Sequence, residues 1–135
     1  MIALDTNVLV RYLVRDIPEQ AEAARTLLEG LTPEAPGFIS REVTIETAWV
    51  LERSYGFSRE QIADILETLT AIESLIVEAG DDVARAALRF RQGGADFADL
   101  MILAAAERAG ASSLYTFDRT LARMDGAVLM ETTER

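Results

Sequence analysis

The opening stretch Met1-Ile2-Ala3-Leu4-Asp5-Thr6-Asn7 decides the fold. Four apolar residues are stopped by three polar ones, and Val8–Val14 then resumes an apolar pattern at helical spacing. A short apolar run ended by turn-forming side chains reads as a strand, and the segment after it as a helix. The alternation recurs along the chain. Phe38-Ile39 precedes a helix capped by Ser40 and running to about Tyr55. Leu75-Ile76-Val77 precedes a helix from Asp81 to about Arg91, and Ser113–Thr116 precedes a short helix over Asp118–Arg123. Val128-Leu129-Met130 reads as a last strand. Three further helices fall between these units: one opened by Asp16 with Glu19 as its capping-box partner, one opened by Ser58-Arg59-Glu60-Gln61, and one opened by Asp96 after the hinge Gly93-Gly94-Ala95. Pro33, Pro36 and Gly37 mark a loop. Apolar strands alternating with helices predict an α/β fold with a parallel sheet covered on both faces. A chain of 135 residues predicts one domain over 1–135, and its end, Glu131–Arg135, is expected to fray.

Absences narrow the chemistry further. Cysteine and histidine are missing, and all 13 basic residues are arginine. Disulfides, thiolate zinc sites, serine–histidine triads, Schiff-base lysines and P-loop lysines are thereby excluded. No secretory signal precedes the first strand, and no apolar run approaches the roughly 20 residues of a membrane span, so a cytoplasmic protein without membrane contact is expected. The net charge of −10 argues against broad nucleic-acid binding through bulk charge, although RNA remains open as a substrate.

In open parallel sheets, ligands gather beyond the carboxyl ends of the strands. Asp5 follows the first strand, Asp118 follows Leu114-Tyr115-Thr116, and Asp96 and Asp99 open a helix. These acids are expected at one edge of the sheet. Each has a plain structural reading as well. Asp5, Asp96 and Asp118 suit N-cap positions, where the side chain accepts a bond from an orphan backbone N–H. Glu46 is harder to explain that way, because its helical neighbours Val43, Trp49 and Val50 are apolar and a carboxylate among them needs a partner. A buried ion pair with Arg41 or Arg53 is the structural alternative. Asp99 is similar, with Ile102 and Leu103 one turn along. A cluster of Asp5, Glu46, Asp99 and Asp118 would suit Mg²⁺ or Mn²⁺, which prefer hard oxygen ligands. Thr6, Asn7 and Thr116 adjoin the acidic positions and are candidates to place waters or ligands.

Four segments in order carry a specific resemblance: Met1-Ile2-Ala3-Leu4-Asp5-Thr6-Asn7-Val8-Leu9-Val10-Arg11, Glu46-Thr47-Ala48-Trp49-Val50-Leu51, Ala95-Asp96-Phe97-Ala98-Asp99-Leu100-Met101-Ile102, and Thr116-Phe117-Asp118-Arg119. Over nearly its whole length the chain resembles the PIN-domain family, in particular the VapC-type toxins of bacterial toxin–antitoxin modules. The resemblance implies a three-layer α/β/α domain with a central parallel sheet of about five strands. It implies an Mg²⁺- or Mn²⁺-dependent ribonuclease, a homodimer, and a small antitoxin that blocks the site. The family's four acidic positions fall on Asp5, Glu46, Asp99 and Asp118. Asp96 falls on a position that is acidic in this subgroup, with a metal contact through water implied, and Thr116 on a polar position near the metal.

With no histidine or lysine, a metal-activated water with a carboxylate as base is the expected nucleophile, leaving 5′-phosphate and 3′-hydroxyl ends. Arg11, Arg15, Arg41 and Arg119 are candidates for RNA phosphates, or ordinary solvated arginines. Three rivals stand beside this reading. A phosphoaspartate enzyme or receiver lacks its lysine here, and Asn7 stands where a dehalogenase-like enzyme has its second Asp. A non-catalytic PIN-like binding module, and an RNA-processing nuclease without an antitoxin, are the other two.

Overall fold

The computed structural model describes residues 1–133; the end of the segment expected to fray lies outside them. The strands are β1 (Ile2–Ala3), β2 (Gly37–Ile39), β3 (Leu75–Val77), β4 (Leu114–Thr116) and β5 (Ala127–Leu129). The helices are α1 (Thr6–Val14), α2 (Pro18–Glu29), α3 (Arg41–Tyr55), α4 (Arg59–Ala71), α5 (Gly80–Arg91) and α6 (Phe97–Arg108), with a 3-10 turn at Leu121–Arg123. All strand pairs are parallel, with Phe38 opposite Ile76 and Tyr115 opposite Val128. The α/β expectation therefore holds. The strands form a three-stranded sheet, β1-β2-β3, and a two-stranded sheet, β4-β5, in place of the expected single sheet of five. Ile2 N and Leu4 N both donate toward β2, to Pro36 O and Phe38 O, so Ala3 alone faces the other edge. Among the described residues no helix is long and apolar enough to cross a membrane.

Several local signals act as read. Ser40 accepts from Val43 N at 3.2 Å, and Ser58 and Gln61 complete a reciprocal capping box. Others differ. Asp16 does not cap α2, whose N-cap is Ile17 with Pro18 at N1. The Asp16 side chain is drawn to Arg11 and Tyr55 instead, at 3.2 and 2.7 Å. Gly37 lies in β2, not in a loop. A Cβ there would meet Leu31 Cδ1 at 2.8 Å and Leu4 Cδ1 at 3.1 Å, so a larger residue would have to push those side-chain ends aside. α5 begins at Gly80 behind Ala79, whose φ of 53° is left-handed, and not at Asp81.

The core has two parts. Leu4, Leu9, Ile39, Leu69 and Leu75 pack around the first sheet. Leu51, Ile62, Leu66, Val83, Phe90, Phe97, Leu100 and Met101 join α3, α4, α5 and α6. Each such side chain stabilises the fold by about 1.5–3 kcal/mol on burial. Together they fix where α1, α3 and α6 begin, and those helices carry the acids.

Candidate metal centre

The parallel direction of β1 sends the chain from buried Leu4 into exposed Asp5 at the sheet's carboxyl edge. Asp5 is the N-cap of α1, with φ −83° and ψ 161°, and its Oδ1 accepts Thr6 N at 2.7 Å. Thr6 is buried, and its hydroxyl donates to Glu46 Oε1 on α3. Asp5, Thr6, Asn7, Arg11, Glu46 and Tyr55 line one cleft of about 330 Å³ between α1 and α3.

Glu46 itself is exposed, as is Trp49. The helix is rotated from the expected placement. Its buried face is Thr44, Thr47, Ala48 and Leu51, and the 0 % exposure of both threonines is what a hydropathy reading misses. Glu46 therefore carries no burial penalty, and its partner is Thr6, not Arg41 or Arg53.

A second acidic group forms at the start of α6. Asp96 is the N-cap, with Oδ1 accepting Asp99 N at 2.9 Å. Asp118 follows β4; its backbone N donates to Thr116 Oγ1 at 3.0 Å and its Oδ1 accepts Leu121 N at 2.9 Å. Asp99 is half-buried. Burial first, then the negative charges of Asp96 and Asp118, push its carboxyl up to about 6. Asp96, Asp99 and Asp118 are thus within electrostatic reach of one another, although about 20 residues separate the helix start from the strand end.

Asp5 and Glu46 share one cleft, then, while Asp96, Asp99 and Asp118 share one field. As the side chains stand, no three acids among the described residues converge tightly enough to hold a metal ion. The donor set still suits a hard dication: it is all oxygen, and a carboxyl pressed by two others ionises more readily once a cation is added. Asp5, Glu46 and Asp118 are exposed, and each is bonded through one carboxylate oxygen, which leaves the other oxygen for a cation.

The arginines divide. Arg11 lines the cleft, with Nε donating to Gln20 Oε1 at 2.9 Å and Nη1 to Tyr55 Oη at 3.1 Å. Arg15 and Arg119 are exposed, and Arg15 lies 5.6 Å from the Tyr12 ring centre. Arg41 is taken up by the interior. Its Nη2 donates to Met101 O at 3.1 Å, and its Nη1 lies 3.8 Å from Asp82 Oδ2.

Asp82 was not singled out from the sequence. Its side chain is 1 % exposed, the most buried acid in any ion pair here. Arg108 grips it through Nε and Nη2 at 3.0 and 2.7 Å, and Arg85 donates at 2.9 Å. These bonds, led by that from Arg108, hold its carboxyl below the usual range. Arg85 three residues on was the available signal; Arg108 was not readable, because tertiary packing supplies it.

A family model, PIN domain, matches residues 2–127. A VapC ribonuclease of Aquifex aeolicus (strain VF5) is 27% identical over 125 residues, covering 92% of this chain and 92% of that protein. No solved structure gives a significant match. The match spans the strand that presents Asp5, the cleft with Glu46, and the start of α6, and the chain belongs to the PIN domain family.

Proposed function

We propose that this protein is a metal-dependent endoribonuclease, cytoplasmic and homodimeric, acting as the toxin of a toxin–antitoxin pair whose antitoxin covers the site. The observation that carries the reading is Asp99: a half-buried carboxyl, crowded by Asp96 and Asp118 and given no arginine among the described residues, in a member of the PIN domain family. A similar VapC ribonuclease supports RNA as the substrate. The same reading takes the two sheets as halves of one five-stranded layer in a three-layer domain.

In this reading Asp5, Glu46, Asp99 and Asp118 hold Mg²⁺ or Mn²⁺, with Asp96 acting through water. The ion would supply charge neutralisation at the scissile phosphate and a lowered pKa for the attacking water. The chain's own groups do the rest. Thr6 fixes one Glu46 oxygen by donating to it, which leaves the other free. Thr116 and Leu121 hold the Asp118 turn. One carboxylate takes the proton of the attacking water, and the products carry 5′-phosphate and 3′-hydroxyl ends. Arg11, held by Gln20 and Tyr55 in the cleft, is the best-placed phosphate contact, with Arg15 and Arg119 in looser support.

The test is RNA cleavage by purified protein with Mg²⁺ or Mn²⁺, with and without chelator, followed by sequencing of the new ends. Turnover that persists after chelation would end the reading. The openness of the acidic group favours a second reading, a non-catalytic PIN module. Calorimetric titration with Mn²⁺ separates the two, because a decayed site gives no binding isotherm. An RNA-processing nuclease without an antitoxin would cleave in the same assay without arresting growth when expressed alone.

A further inference from the structure

Arg59 is the first residue of α4, well before Asp96 and Asp99 in the sequence. Its Nη1 donates to Phe90 O at 3.1 Å and to Ala95 O at 3.0 Å, and its Nη2 to Gly94 O at 2.8 Å. The guanidinium carbon lies 4.3 Å from the centre of the Phe90 ring, a cation–π stack. Phe90 in turn meets Phe97 edge-on, with centroids 6.3 Å apart. One side chain thus ties α4 to the end of α5 and to the connection that leads into α6.

Besides Arg59, that connection is held by Gly93 N, which donates to Phe90 O at 3.1 Å, and by the Ala95 side chain, which joins the core. Gly93 and Gly94 have φ of 94° and 91°, and two consecutive left-handed glycines set no single path by themselves. Ala95 is 3 % exposed, so its carbonyl needs a donor. Among the described residues, Arg59 is the donor to both Gly94 O and Ala95 O. The next residue is Asp96, which caps α6 and holds Asp99 N. A change in the path of the connection moves the start of α6, and both acids move with it.

We infer that Arg59 is a positioning residue for the acidic site: by clamping the 92–95 connection it holds Asp96 and Asp99 where a divalent cation can use them together with Asp118. The inference rests on the nuclease reading. Guanidinium chemistry suits the task, because one planar group meets three carbonyls and a ring face at once. A lysine offers a point charge that cannot do both. Groups that orient ligands without touching the metal commonly control its affinity.

The experiment uses chelator-stripped full-length protein and Mn²⁺ as probe. Arg59→Met keeps an apolar cover on Phe90 and removes all three donors; Arg59→Lys keeps the charge. Val83→Ala, a core truncation in α5, provides a variant of reduced stability with the clamp intact. Arg59→Met is expected to weaken Mn²⁺ binding by about tenfold or more and to lower kcat for RNA in parallel, with KM unchanged. Amide exchange should quicken over residues 93–100 and not over α1. Arg59→Lys should recover part of the affinity, and Val83→Ala should lower the melting temperature and leave the Mn²⁺ affinity unchanged. If Arg59→Met does not fold, Arg59→Lys takes its place with a smaller expected loss. Wild-type Mn²⁺ affinity in the Arg59 variants, or a loss no larger than that of Val83→Ala, overturns the inference alone. A wild-type protein that neither binds Mn²⁺ nor cleaves RNA overturns the nuclease reading and this inference with it.

Discussion

Asp82 and Asp99 sit on adjacent helices and are treated in opposite ways. Asp82 is almost fully buried, yet two arginines bond it and a third lies near, so its carboxyl titrates low. Asp99 is less buried, receives no arginine among the described residues, faces Asp96 and Asp118, and is pushed up to about 6. Burial alone does not mark a functional acid. A buried acid supplied with cations by its own chain is architecture. One surrounded by further acids is left needing a cation from outside.

The comparison breaks most sharply under substitution. Asp99→Asn and Asp5→Asn should each lower metal-dependent RNA cleavage by roughly a hundredfold or more while circular dichroism stays native. Asp82→Ala should do the reverse, leaving the specific activity of folded protein within a few-fold. It should cost about 2 kcal/mol of stability, read by urea denaturation. The cost stays below the 3–5 kcal/mol typical of a broken buried pair because Arg85 and Arg108 are more than half exposed and can return to water. Wild-type activity in Asp99→Asn, or an unchanged midpoint in Asp82→Ala, would erase the contrast.

Stability against pH sharpens it, measured in chelator. The Asp82 carboxyl is lower in the folded state than its ordinary value of 3.8. Its stabilisation is complete above about pH 4 and is lost as pH falls below that. Asp99 is raised from 3.8 to about 6, so the folded protein binds the extra proton between those values. Stability should therefore rise as pH falls from 7 toward 4, and then drop on the acid limb. Asp99→Asn should remove the first slope and raise metal-free stability at pH 7 by on the order of 1 kcal/mol. Asp82→Asn should flatten the acid limb, with Asp16, held low chiefly by the Tyr55 hydroxyl, and Glu22, held low chiefly by its bond from Arg25, contributing to what remains.

The sequence disclosed the parts of this contrast that depend on neighbours in the chain. Strand-then-acid at Asp5 and Asp118, the Ser58 capping box and the Gly93-Gly94 hinge are short-range patterns with local causes, and the structure has them. It misled where tertiary packing overrode a short-range pattern. Asp16 looked like a cap but had a better partner in Tyr55, 39 residues away. Glu46 looked buried because its helical neighbours Val43, Trp49 and Val50 are apolar, whereas the buried face of α3 is Thr44, Thr47, Ala48 and Leu51. Arg41 looked free because Asp82 and Met101 O, which occupy it, come from α5 and α6. The grip of Arg59 on three carbonyls was unreadable for the same reason: carbonyls have no sequence identity.

Thr47 is a third kind of buried polar group, neither paired like Asp82 nor crowded like Asp99. It is 0 % exposed, and its hydroxyl has no hydrogen-bond partner among the described residues. Its neighbour Thr44 shows the alternative, donating to Arg41 O at 2.7 Å. Valine has nearly the shape of threonine and the same branching at Cβ, so Thr47→Val removes the unmet hydroxyl with little change in packing. The variant should gain about 1 kcal/mol in urea denaturation, because an unsatisfied buried donor costs that much or more. RNA cleavage should not change, since the Thr47 hydroxyl bonds none of the site residues and Glu46 takes its bond from Thr6. A loss of stability in Thr47→Val, with Thr44→Val losing no more, would mean that the Thr47 hydroxyl has a partner after all. The distinction between satisfied and unsatisfied burial, on which the Asp82–Asp99 contrast depends, would then have to be redrawn for α3.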